Sequence, residues 1–169
     1  MRVIVALDDS EGSFYALQWT LDNLTNGITA SNESSSESGM LTLVHVQQPF
    51  HPAIYPVGPG GAVMESVKKA QEESSAAILS RGVKMCRKKK IKEETLILEG
   101  DPKDMICQAT EQLHVDLLVV GSRGLGKIKR EMKWLRRAFL GSVSDYCAHH
   151  AKCPILIVKP PKETTATKP

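Results

Sequence analysis

Leu117-Leu118-Val119-Val120-Gly121-Ser122-Arg123-Gly124-Leu125-Gly126 is the stretch on which the fold turns. Four apolar residues in an unbroken run read as a strand buried on both faces, the mark of a parallel sheet rather than an antiparallel one. The run ends in a cluster of glycines. At the carboxyl end of a strand, glycines permit positive φ and let a ligand come close to the main chain. Downstream, Gly141-Ser142-Val143-Ser144 opens a helical pattern, and the unpaired amides of a helix N-terminus suit a phosphate group.

The same alternation extends outward in both directions. Val3 to Leu7 is a β-branched-rich apolar run closed by Asp8-Asp9-Ser10, which predicts a buried strand and a helix cap. Phe14, Leu17, Leu21 and Leu24 follow at helical spacing. Thr25 to Gly39 is polar and reads as a loop; Leu41 to Val46 is a second strand; Gln47 to Gly61, rich in proline and glycine, is expected to be irregular. A long helix comes next, with Val67, Ala70, Ala77, Ile78 and Met85 expected on its apolar side and Arg87 to Lys90 in its last turn, where the helix dipole favours cations. Glu94 to Leu98 predicts strand three. Gly100-Asp101-Pro102 turns into a helix with proline near its first position, and Ile106, Ala109 and Leu113 line that helix's buried side. Asp116 to Val120 predicts strand four, a helix runs from Gly141 to about His150, and Pro154 to Val158 is strand five. Strand and helix in alternation imply right-handed crossovers and an α/β fold: an open five-stranded parallel sheet with helices on both faces.

A chain of 169 residues suits one domain, expected over 1–160 with a loose tail at 161–169. A net charge of +3 announces no nucleic-acid surface. Cys86, Cys107, Cys147 and Cys153 show no CxxC spacing and read as reduced, buried thiols of a cytoplasmic protein. The first apolar run is too short for a signal-peptide core, and no run reaches membrane-spanning length.

Open parallel sheets bind ligands at the carboxyl ends of strands, where the winding direction reverses. Asp8, Val46 and Gly121 sit at such ends. With strands one and four as neighbours, the Asp8 carboxylate would accept from ribose hydroxyls while the glycine-loop amides and the Gly141-Ser142 helix start hold phosphates, with Arg123 and Lys127 as the nearby cations. Blander readings stand beside these. Asp8 could cap the first helix, although Asp9 or Ser10 is better placed; Ser142 and Ser144 could cap the later one; Gly121 and Gly124 could simply turn the chain.

On these residues the chain resembles the universal stress protein (UspA-type) family, particularly its plant members. Gly121, Gly124, Gly141 and Ser142 follow the family pattern Gly-x2-Gly-x9-Gly-[Ser/Thr]. Asp8, His45-Val46, Gly100-Asp101-Pro102 and Cys153-Pro154 support it. The resemblance implies an adenine nucleotide alpha hydrolase-like fold with strand order 3-2-1-4-5. It also implies ATP or a related adenine nucleotide, with Mg left open. Adenine would meet backbone near Val46 and Val120, the ribose Asp8, and the phosphates Gly121, Gly124, Gly141, Ser142, Val143 and Ser144. Family members pair the last strand with its twin, which implies a homodimer through 155–158.

One departure matters. Sixteen residues separate Gly124 from Gly141 where the pattern has nine, and removing Glu131 to Arg137 would restore it. An outward loop costs only tenths of a kcal/mol to about 1 kcal/mol in closure entropy. A displaced helix start would instead abolish nucleotide binding and leave a protein-interaction module.

Other chemistries fit less well. Gly126-Lys127-Ile128 lacks the Ser or Thr of a P-loop, and the glycine spacing is not a dinucleotide fingerprint. Asp8-Asp9, Ser122 and Lys159 imitate a phosphoacceptor receiver, but strand three ends in Leu98-Glu99-Gly100-Asp101, with no aspartate at its tip. Cys147, His149, His150 and Cys153 invite zinc, yet His149 points away from the side shared by 147 and 150. The basic run Lys127 to Arg137 could clamp phosphate or rest as a solvated helix. No base, nucleophile or metal cluster marks a fast enzyme, which leaves slow ATP hydrolysis at most.

Overall fold

The computed structural model describes residues 1–24, 40–49, 61–122 and 141–161, and for 61–64 the backbone alone. Arg123, Gly124, Lys127, the expected insertion at 131–137, the loop at 25–39 and the tail beyond 161 lie outside the described residues. The elements are β1 (Arg2–Ala6), α1 (Glu11–Asn23), β2 (Met40–Gln47), α2 (Gly61–Lys88), β3 (Glu93–Glu99), α3 (Pro102–Gln112), β4 (Leu117–Gly121), α4 (Ser142–His150) and β5 (Ile155–Val158). All strand pairs are parallel, in the order β3-β2-β1-β4-β5. β1 therefore lies between β2 and β4, with Val3 opposite both Leu41 and Leu117.

Alternation along each strand sorts the core into two layers. Val3, Val5, Leu41, Leu43 and Val119 pack under α1 and α2 with Phe14, Leu17, Leu21, Leu79 and Cys86. Ile4, Val44, Leu118 and Val120 face the other way, against Ile106, Cys107, Ala109 and Cys147 of α3 and α4. The chain winds from β1 to β3 in one direction and from β4 to β5 in the other. The reversal falls between β1 and β4, where the tips splay helices to opposite faces.

Several expectations need correction. Ala70 and Ala77 are exposed, and α2 instead buries Ser75, Leu79, Gly82 and Cys86. A glycine centres this seam and brings the helix unusually close: a Cβ on Gly82 would lie 2.8 Å from Leu7 Cδ1 and 2.9 Å from Leu43 Cδ1. Counting apolar residues cannot register a contact made by a missing side chain. Gln47 is the last residue of β2 rather than irregular, held in register opposite Glu99. The Gly100 turn is as expected, with φ +145°, Asp101 capping α3 through the Lys103 amide at 2.8 Å, and Pro102 opening the helix. No helix among the described residues is long and apolar enough to cross a membrane.

Candidate functional site

A cavity of about 570 Å³ opens at the carboxyl ends of β1, β2 and β4, within the range of small-molecule sites. It brings together Asp8, Val46, Val120, Gly121, Gly141, Ser142, Val143 and Ser144, which the sequence had placed in four separate segments.

The β1–α1 turn is braced by its own side chains. Ser10, not Asp8, caps α1, accepting from the Ser13 amide at 3.2 Å. Asp8 Oδ1 accepts from the Ser10 amide at 3.0 Å and from the Ser10 hydroxyl, while the Asp8 amide donates to Ser13 Oγ at 3.2 Å. Oδ2 takes no partner among the described residues, so half of the carboxylate holds the turn and half remains available. His45 adds a tie from β2. Its Nδ1 lies 2.8 Å from the Leu7 carbonyl, and because a carbonyl only accepts, that nitrogen carries the proton.

The opposite wall is a helix start without a side-chain cap. Gly141 is the N-cap of α4 and carries no side chain to cap it. Ser142 therefore does not cap the helix, and Ser144 turns its hydroxyl to the Gly141 carbonyl at 2.9 Å. The first helical bond runs from the Asp145 amide to Gly141, at 2.9 Å. The amides of Ser142, Val143 and Ser144 precede it and have no intrahelical acceptor. Such amides, with the dipole behind them, favour an anion.

The lengthened segment does not carry α4 away from the sheet. The Gly141 amide donates to the Ser122 carbonyl at 2.8 Å, and the Ser122 amide to the Val158 carbonyl at 2.9 Å. Residues 122 and 141 thus meet directly, and residue 122 is in turn anchored to the end of β5.

Gly121 does not take the positive φ that the sequence reading allowed for, and the structure gives a packing reason for a glycine there. Among the described glycines only Gly100 has positive φ. At Gly121 a Cβ would stand 2.7 Å from the Gly12 carbonyl carbon and oxygen and 2.9 Å from the Ser13 amide nitrogen. The close approach is to the first turn of α1, and it sets the width of the crevice between β4 and that helix.

Val46 and Val120 both pack on the α3–α4 face and form an apolar wall. Sequence reasoning missed the lining that α2 and α3 supply. Gln47, Gln71, Ser75 and Ile78 close the α2 side, and Pro102 and Ile106 the α3 side. A serine on the buried seam of α2, four residues before Leu79, was the available signal.

The zinc set does not converge. Cys147 is buried, its sulfur 3.8 Å from that of Cys107, and desolvation pushes its thiol up to about 12. His149 and His150 are exposed, each with Nδ1 on the carbonyl four residues back. The receiver reading is overturned by topology, since that fold places β3 beside β1 and here β4 occupies the place.

Comparison with known proteins agrees with this geometry. The Universal stress protein A-like protein of Arabidopsis thaliana is 32% identical over 157 residues, covering 91% of this chain and 82% of the relative. A crystal structure of a universal stress protein family protein from Arabidopsis thaliana with AMP bound is 26% identical, covers 99% of this chain and 96% of that one, and superposes with a TM-score of 0.65. A universal stress protein in complex with cAMP shares the fold at 24% identity and a TM-score of 0.57, over 94% of this chain and 95% of its own. The architecture is the adenine nucleotide alpha hydrolase-like fold. The family model for universal stress proteins matches residues 1–159, and the chain belongs to the universal stress protein family.

Proposed function

We propose that the protein binds an adenine nucleotide, ATP or a close relative, in the cavity at the β1–β4 reversal, and acts in stress signalling through occupancy of that site. One observation carries the reading: the open oxygen of Asp8 and the uncapped amides of Ser142, Val143 and Ser144 share one cavity. The family resemblance implies the base near Val46 and Val120, the ribose at Asp8 and the phosphates at Gly121 and the start of α4, and the adjacent strands β2, β1 and β4 bring these positions to one cavity. The AMP bound by the 26% identical Arabidopsis protein supports the ligand class. The Ser122–Gly141 hydrogen bond favours an insertion that leaves the phosphate site assembled.

The donors fit a nucleotide, and with ATP a Mg ion would sit among phosphate oxygens, to which hard cations bind. Ser10 and Ser13 hydroxyls hold the turn and His45 holds Leu7, which supports binding rather than rapid turnover. Four free thiols support a reducing compartment such as the cytoplasm. The open edge of β5 supports a homodimer.

Mass spectrometry of nucleotide released on denaturation, with calorimetric titration of ATP and AMP, tests the reading. Asp8→Asn keeps an oxygen for Ser10 and replaces the open one by an amide, so affinity is expected to fall about tenfold or more through loss of a charged hydrogen bond. Binding only after deletion of Glu131 to Arg137 would instead make the natural protein an interaction module.

A further inference from the structure

We infer that Gln47, held by Ser75 of α2, is the residue that selects a 6-amino purine over a 6-oxo purine. The inference rests on the nucleotide reading above and goes beyond it in naming a side chain that reads the base. Gln47 is the last residue of β2 and lines the cavity on the side of β1 away from the phosphate end. By strand parity it faces α2, and there its Nε2 donates to Ser75 Oγ at 2.7 Å.

The direction of that bond is set by the next one. Ser75 has a single hydroxyl proton and directs it to the Gln71 carbonyl at 2.9 Å, so its oxygen accepts from Gln47. The Gln47 amide therefore turns its NH2 to the helix and leaves Oε1, an acceptor, without a partner among the described residues. Ser75 is itself 1% exposed, and α2 is tied to the end of β2 a second time by Gln71 Nε2 on the Gln48 carbonyl at 2.5 Å. An acceptor oriented in this way welcomes the exocyclic amine of adenine. It repels the carbonyl oxygen that inosine or guanine carries at the same position, and an acceptor that a bound base shields from water and meets with a lone pair loses its hydrogen bond. Ser75 is thus a positioning residue, acting through the orientation of Gln47.

Titration of AMP and inosine monophosphate, which differ in the 6-amino or 6-oxo group and in the N1 proton that goes with the latter, into the full chain and two variants tests this. The natural protein is expected to prefer AMP by about ten- to a hundredfold, the scale of one made against one unsatisfied hydrogen bond. Gln47→Leu should weaken AMP about tenfold, leave inosine monophosphate bound at least as tightly and bring the ratio near unity. Ser75→Ala frees the amide to turn over and offer its NH2, so inosine monophosphate should bind several-fold more tightly than to the natural protein. Mere loosening of the fold would weaken both nucleotides together. A natural ratio of unity, or a ratio unmoved in both variants, overturns the role of Gln47 while leaving nucleotide binding intact. Absence of binding by either nucleotide overturns the site reading and the inference with it.

Discussion

Replacing Gly121 by alanine introduces a methyl group where the surrounding atoms are main chain. The new carbon would lie 2.7 Å from two Gly12 atoms and 2.9 Å from the Ser13 amide nitrogen, against about 3.5–4.0 Å for an unstrained contact. Relief requires α1 or β4 to move by about 1 Å. α1 resists, because Ser10 caps it and Ser13 binds both sides of the turn. Overpacking costs about 1–3 kcal/mol, and a rigid obstacle belongs at the top of that range. For a domain of this size each kcal/mol lowers the melting temperature by about 2–4 °C, so Gly121→Ala should melt about 6–12 °C below the natural protein. Gly82→Ala is the control. Its obstacles, at 2.8 and 2.9 Å, are the terminal methyls of Leu7 and Leu43, which can rotate, and alanine restores about 1 kcal/mol of helix propensity. Its net loss should stay near 1 kcal/mol or below. Circular dichroism melts of the three proteins decide the matter. Gly121→Ala melting within about 2 °C of the natural protein, or Gly82→Ala proving worse, would refute packing as the reason for this glycine.

Burial pushes the Cys86 and Cys147 thiols up to about 12, whereas the unfolded chain releases those protons near 8.5. Their contribution to stability is therefore whole below about pH 8.5 and falls above it by about 1.4 kcal/mol per pH unit for each thiol. Urea titrations at pH 8.5 to 10 should show Cys147→Ala losing close to one proton's worth of that slope, and an unaltered slope counts against it. The Arg81 guanidinium hydrogen-bonds Glu11 and holds its carboxyl below the usual range. That contribution is present above about pH 4.3 and disappears as pH falls through the lowered value. The pair is exposed, so a double-mutant cycle should give about 0.2–1 kcal/mol at pH 7 and nothing measurable well below the lowered value. Arg81→Ala should cost more than Glu11→Gln, since the guanidinium also lies 3.8 Å over the Phe14 ring. Along β5, Pro154 and Val158 turn their carbonyls to β4, so Ile155 and Ile157 present theirs to the open edge. Ile157→Pro thus removes an outward amide and spares the β4 ladder; sedimentation should find the natural protein dimeric and this variant monomeric, and a dimer persisting in both removes β5 as the interface.

Much of the architecture was legible because burial on both faces leaves unbroken apolar runs, as at Leu117 to Val120, and alternation with helical spacing then leaves few topologies. The Asp8 strand tip and the Gly141 helix start were legible for a local reason: each is a carboxyl-end or amino-end position in its own element. The α2 side was not. Ser75 and Gln71 look like the polar face of a helix, and only the docking of that helix through Gly82 shows that Ser75 is buried against Gln47.

Taken alone, the residues determined the alternating elements, the parallel sheet and the candidate groups at its carboxyl edge, since these follow from periodicity and from the conformational range of glycine and proline. Tertiary structure alone decided that Asp8 keeps one oxygen open, that Gly121 serves the approach of α1, and that Gly141 still meets Ser122 across a lengthened segment. Those outcomes depend on distances between segments far apart in the chain, which register and helix docking set and which no local pattern encodes.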